Sequence, residues 1–166
     1  LEHINLGACS FDQIPTAFAE GMKELCELHG KTGVGDTGEY LSSETDRQVG
    51  LGVLGLANLL RRYGVSYEQF GYALEQYNNN DVKATAAFSL VQQLASGIRD
   101  ASLIAHEYNM VRAFAIAPTA SCSYRSQDAD GFTCTPEIAP VDFSMDIHTI
   151  GGQIWLSWMR HSLKSG

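Results

Sequence analysis

The sequence predicts an α/β fold that is mostly helical, and three observations carry that prediction. Apolar residues recur at spacings of three and four over several long stretches. A short apolar run, Ala113-Phe114-Ala115-Ile116-Ala117, is closed by Pro118 and suits a buried strand better than another helix. An apolar, glycine-rich stretch from Gln48 to Val53 supplies a second extended segment. With 45% hydrophobic and 18% charged residues over 166 positions, the chain has the balance and size of one globular domain. That balance excludes general disorder and collagen-like repeats.

In chain order, Ile14, Phe18, Met22, Leu25 and Leu28 fall on one helical face. Pro15 is tolerated only in a first turn, so Asp12 is the expected N-cap and His29-Gly30 the stop. Lys31 to Arg47 is rich in Gly, Ser, Thr and acids and reads as a loop. The extended stretch at Gln48 runs into a buried helix carrying Leu54, Leu56, Ala57, Leu59 and Leu60, which Arg61-Arg62-Tyr63-Gly64 ends. Ser66 opens the next helix, with Tyr67, Phe70, Leu74 and Tyr77 at helical spacing, and Asn78-Asn79-Asn80-Asp81 supplies a turn and the following N-cap. The longest helix runs from Val82 to Tyr108: Phe88, Val91, Leu94, Ile98, Ala101, Ala105 and Tyr108 form its stripe, with Gln92, Arg99 and Asp100 off it. Beyond the strand, Thr119 to Ser123 reads as a loop of small residues and Ser126 to Gly131 as a polar turn. His148 to Leu163 reads as a helix with Ile150, Ile154, Trp155, Trp158 and Met159 on its stripe.

Charge narrows the function classes. Lys+Arg 11 against Asp+Glu 19 gives a net charge of -8, which repels polyanions and argues against a nucleic-acid partner. Small nucleotides held by local backbone contacts stay open. No apolar run approaches the roughly 20 residues of a membrane span, and Leu1-Glu2-His3 lacks the basic start of a signal peptide, so a soluble cytoplasmic protein is expected. Leu1 is not a methionine, so the chain reads as a processed product or a piece of a longer one. Cys9, Cys26, Cys122 and Cys134 contain no C-x-x-C pair and read as free structural thiols. His3, His29, His106, His148 and His161 show no metal-ligand spacing and read as surface or satisfied histidines, so no metal site is expected.

Three local patterns bear on chemistry. Gly50-Leu51-Gly52-Val53-Leu54-Gly55 is a literal G-x-G-x-x-G, but its approach, Ser42 to Arg47, is polar. The acidic residue expected about 20 positions on falls at Glu68, inside a helix, so close strand-to-helix packing through glycine is the better reading. Ser126-x-Asp128-x-Asp130-Gly131, followed by Glu137, copies much of a calcium loop, yet Ser126 replaces the first carboxylate and Pro136 stands where a helix should be under way. An acidic turn is the expectation. Ala117-Pro118-Thr119-Ala120-Ser121-Cys122-Ser123 is the strongest chemical candidate. A strand ending in small residues can turn N–H groups toward one point, and the Thr119, Ser121 and Ser123 hydroxyls add donors for a phosphate.

These residues carry a resemblance to the catalytic α subunit of ribonucleotide reductase over positions 1–143. Leu1-Glu2-His3-Ile4-Asn5-Leu6-Gly7 resembles the stretch just after that family's first redox cysteine. Arg47 to Leu60 is similar to its R-x-x-G-L-G-V-x-G-L-A-x-L-L signature, and Ala117 to Ser123 to its A-P-T-x-S-x-S loop. Pro136-Glu137-Ile138-Ala139-Pro140 resembles the active-site segment that follows, in a variant like phage and cyanobacterial members.

The resemblance implies the later portion of a ten-stranded α/β barrel, a partial catalytic domain that reduces ribonucleoside di- or triphosphates for DNA synthesis. By position it implies that Thr119, Ala120, Ser121, Cys122 and Ser123 hold the substrate's phosphates. It implies a radical source outside this chain, either a partner subunit with a metal cofactor, which is favoured, or adenosylcobalamin or a glycyl radical. It also implies the remainder of the catalytic subunit as a partner. The family's thiyl cysteine lies in an N-x-C-x-E motif that surrounds none of the four cysteines, and Asn5-Leu6 leads to Gly7 instead. No catalytic residue is therefore assigned, and the chain alone is expected to be inactive. The other reading is a non-catalytic helical interaction module whose apolar stripes assemble with another chain.

Overall fold

The computed structural model describes residues 2–31, 46–115 and 120–136. Its elements are β1 (Glu2–Asn5), α1 (Ile14–Lys31), β2 (Gln48–Leu54), α2 (Leu56–Arg62), α3 (Tyr67–Asn78), α4 (Ala86–Glu107), β3 (Arg112–Phe114) and α5 (Ala120–Arg125), with short 3-10 turns at Leu6–Ala8 and Phe11–Gln13. The fold is mixed α/β, dominated by helix. The three strands form one sheet in the order β1-β2-β3, and both pairs are parallel. Parallel neighbours need long crossovers. The β1-to-β2 crossover contains α1, and that from β2 to β3 contains α2, α3 and α4.

The central strand, β2, is buried from Gly50 to Leu54, as a strand flanked on both edges and covered on its faces should be. Pairing of Glu2 with Leu51 and Ile4 with Val53 puts these four side chains on one face of the sheet. That face meets α1 at Gly21, where an added Cβ would stand 3.5 Å from both Ile4 Cγ1 and Leu51 Cδ1. His3, Asn5, Gly52 and Leu54 face the other way. α4 packs along α1, and α3 along α4. At Gly97 the helices approach closely, since a Cβ there would lie 2.6 Å from Phe18 Cδ2. The expected stripes supply this core: Ile14, Phe18, Met22, Phe88, Val91, Leu94, Ile98, Ala101 and Ala105 are all buried. Leu28, at the far end of the α1 stripe, is 47% exposed.

Several boundaries differ from expectation for local reasons. The chain enters α1 through the turn Phe11–Gln13, capped by Ser10, whose N–H donates to Gln13 Oε1 at 3.1 Å; Asp12 sits inside that turn. α3 is capped as expected, the Ser66 hydroxyl accepting from Gln69 N at 3.1 Å. The α4 cap is Thr85 and not Asp81. Asn80 adopts φ +56, Asp81 N closes the end of α3 on Gln76 O at 2.8 Å, and Thr85 Oγ1 is the next side chain to accept from a helical N–H, that of Phe88 at 3.1 Å. β1 escapes periodicity because only Ile4 of its four residues is buried. Most of the loop expected over Lys31 to Arg47, the end of the strand at Ile116 and Ala117, and the helix expected over His148 to Leu163 lie outside the described residues. Among the described residues no helix is long and apolar enough to cross a membrane.

Candidate functional site

The chemistry gathers at the carboxyl ends of the strands, where Asn5 of β1 lies opposite Leu54 of β2. Two glycines let the chain close up there. Gly55 caps α2 at φ +74, and a Cβ on it would stand 2.9 Å from Gly7 N and 3.1 Å from Asn5 Oδ1. A Cβ on Gly7 would be 3.0 Å from Asn58 Cβ and 3.1 Å from Asp128 Cβ. Into this space fits the hairpin of residues 126–135, bridged between Gln127 and Thr133. Gly55 N donates to Thr135 O at 2.9 Å, and Ala129 N to Gly7 O at 3.1 Å. Arg62 fastens the turn after β1 from behind, its guanidinium donating to Cys9 O and Gly7 O, both at 2.6 Å.

Two asparagines hold the hairpin. Asn5 Nδ2 donates to Gln127 O at 3.0 Å, while Asn5 Oδ1 accepts the Cys134 thiol at 3.2 Å and Asn5 O the Cys9 thiol at 3.4 Å. Burial pushes both thiols up, which keeps them protonated and able to donate. Asn58 Nδ2 donates to Asp128 Oδ2 at 2.8 Å and to Thr133 O at 3.0 Å, and Asn58 Oδ1 accepts from Thr135 N at 2.9 Å. Asp128 Oδ1 in turn accepts from Asp130 N and Phe132 N, both at 2.9 Å. The Asn58 hydrogen bond, followed by those backbone bonds and the charge of Arg61, holds the Asp128 carboxyl below its usual range against partial desolvation. Arg61 also lies over the Phe132 ring, 4.2 Å from its centroid.

The described part of the calcium-like motif, residues 126–131, forms an acidic turn. Both Asp128 oxygens accept hydrogen bonds from the protein, and Gly131 at φ +85 reverses the chain. Glu137 lies outside the described residues. Among the described residues no group of three or more His, Cys, Asp or Glu is placed to hold a metal ion.

Of the phosphate-site candidates, Thr119 lies outside the described residues, and Ala120, Ser121, Cys122 and Ser123 belong to α5. The expected open loop is therefore wound into a short helix from Ala120. The run Ala-Ser-Cys-Ser-Tyr-Arg contains no Gly, Pro or β-branched residue to oppose winding. Ser126 ends it: its N–H donates to Ser123 O at 3.1 Å and its hydroxyl to Cys122 O at 2.7 Å. Cys122 is exposed and Ser123 fully buried.

Elsewhere, the glycine-rich pattern forms β2 and its turn into α2, with Gly55 against the end of β1, and Glu68 stands in the first turn of α3. The close approach at Gly55 is to the end of β1 and the turn that follows it, in place of the expected strand-to-helix packing. The four cysteines are free. His3 departs from the expected surface or satisfied histidine: Nε2 is buried with no hydrogen-bond partner among the described residues, and burial pushes its pKa down. Asn5 and Asn58 were not singled out by motif reading. The available signal was Asn58 itself, one amide within the apolar run Leu56-Ala57-Asn58-Leu59-Leu60, where a polar side chain needs partners. Scanned against protein-family models and curated proteins, the chain finds no match in either.

Proposed function

We propose that this chain is part of the catalytic subunit of a ribonucleotide reductase, contributing the later portion of a ten-stranded α/β barrel. In this reading it helps replace the 2′-hydroxyl of a ribonucleoside di- or triphosphate with hydrogen. Residues Thr119 to Ser123 hold the substrate phosphates through backbone N–H groups and the Thr119 and Ser121 hydroxyls, the Ser123 side chain being buried. The thiyl cysteine and the radical source, a metal-bearing partner subunit or adenosylcobalamin, belong to other parts of the assembly, and no residue here is assigned to either. The observation that carries the reading is the order of motifs on one parallel sheet. The segment resembling the reductase signature forms β2, the Gly55 turn and α2, and the segment resembling the phosphate loop follows the carboxyl end of β3. Parallel α/β proteins bind ligands at that edge of the sheet.

The test is Ala120→Pro, titrated with a ribonucleoside diphosphate by calorimetry. Position 120 is the first residue of α5, where proline costs a helix little because that N–H has no intrahelical acceptor. Losing one charge-assisted hydrogen bond of about 1.5–3 kcal/mol should weaken binding by roughly tenfold or more. Equal affinity in wild type and variant contradicts the assignment.

A helical module that assembles with another chain is the second reading. A cavity of about 260 Å³ between α4 and β3, lined by Ala105, Met110 and Phe114 among others, favours it. Val111, also in its lining, is 76% exposed, and Leu103 on α4 is 60% exposed. Light scattering bears on both: a clean monomer with cooperative thermal unfolding contradicts the half-barrel picture and favours an independent domain.

A further inference from the structure

We propose that Asn58, supported by Asn5, is the positioning residue that fixes where α5 stands at the carboxyl edge of the sheet. This rests on the reading above in one respect only, that α5 carries part of the phosphate site. The bonds form a continuous path. Asn58 ties Asp128, Thr133 and Thr135 to the start of α2, and Asn5 ties Gln127 and Cys134 to the end of β1. Cys134 N then donates to Ser126 O at 3.1 Å, and Ser126 holds Cys122 O with its hydroxyl and Ser123 O with its N–H. The last turn of α5 is therefore referenced to the end of β1 and the start of α2 through amide side chains.

The packing supports a built arrangement. Gly7 leaves room for Asn58 and Asp128 to approach, since a Cβ there would meet both side chains at 3.0 and 3.1 Å. Asn58 uses both amide hydrogens and its oxygen at once, which an alanine cannot replace and an aspartate replaces only on the acceptor side. None of the residues in this path belongs to the α1–α4 contact that forms the helical core.

Two variants of the full chain test the proposal, with amide hydrogen exchange as the main readout and titration with a ribonucleoside diphosphate as the second. Asn58→Asp is isosteric and keeps the acceptor for Thr135 N, but it loses both donated bonds and sets a carboxylate against Asp128. Asn58→Ala removes all three bonds. Exchange of amides in residues 121–135 should rise at least tenfold in both variants, while α1 and α4 stay within about twofold of wild type. Diphosphate affinity should fall in parallel, and restoring Asn must restore both. Exchange that rises uniformly through α1 and α4, or that stays unchanged at 121–135, overturns the positioning role. If Asn58→Ala does not fold, Asn58→Asp alone decides the outcome. If wild type binds no diphosphate while exchange responds locally, the functional reading fails and the positioning of α5 stands.

Discussion

The helical core and the carboxyl edge of the sheet are held together by different physics. In the core, α1 and α4 meet through apolar side chains, with Phe18 pressed on Gly97. At the edge, the 126–135 hairpin is held by hydrogen bonds from Asn5, Asn58 and Gly55 to backbone groups and to Asp128. Burial is non-directional and tolerates small shifts, whereas a hydrogen-bonded lattice fixes position within tenths of an ångström. A stable body carrying a precisely held rim is what a binding site on a parallel sheet needs. The core should accordingly set global stability, and the edge the local order of α5.

The largest effect that would sharpen this contrast is Phe18→Ala. Removing a ring that is 1% exposed should cost about 3–5 kcal/mol in urea unfolding. Gly97→Ala should come next. The added methyl gains about 1 kcal/mol of helix propensity but stands 2.6 Å from the Phe18 ring and 3.1 Å from its Cβ. Overpacking costs about 1–3 kcal/mol, so after the propensity gain a net loss of about 0–2 kcal/mol is expected. A stabilised Gly97→Ala protein would show that α1 and α4 can part without cost and would break the picture of a tight core.

The smallest effect is a pH effect at the edge. The Asp128 carboxyl is held below its ordinary 3.8 by Asn58 first and then by the Phe132 and Asp130 N–H groups. A depressed carboxyl stabilises the native arrangement above its unfolded value and loses that contribution as pH falls through the folded value. Protection of the Asp130 and Phe132 amides should therefore decline on acidification below pH 3.8, ahead of amides in α4. Simultaneous loss in both regions would erase the distinction between core and edge.

The two regions also differ in how far the sequence disclosed them. The stripes of α1, α3 and α4 were legible because burial on one helical face leaves a period that neighbours within four residues reveal. The start of α4 was not, because Asn80 turns left-handed and Thr85, not Asp81, offers the capping oxygen. β1 was missed since a single buried apolar residue, Ile4, makes no pattern. The winding of Ala120–Arg125 was missed because small residues suit a loop and a short helix alike. The edge network was hidden for a deeper reason. Asn5 reaches Gln127 across 122 positions and Cys134 across 129, so neither end of either bond carries a local signal. The motifs named the segments that meet there, while the amides that join them needed coordinates.

The central claim is that residues 119–123 take the phosphates of a ribonucleotide. Amide chemical shifts recorded with and without a ribonucleoside diphosphate, against the same ribonucleoside lacking phosphate, test it most directly. The account predicts that phosphate-dependent shifts concentrate at 119–123 and fade through Ser126 into the hairpin. Shifts centred on the cavity between α4 and β3, or none that depend on phosphate, would contradict it.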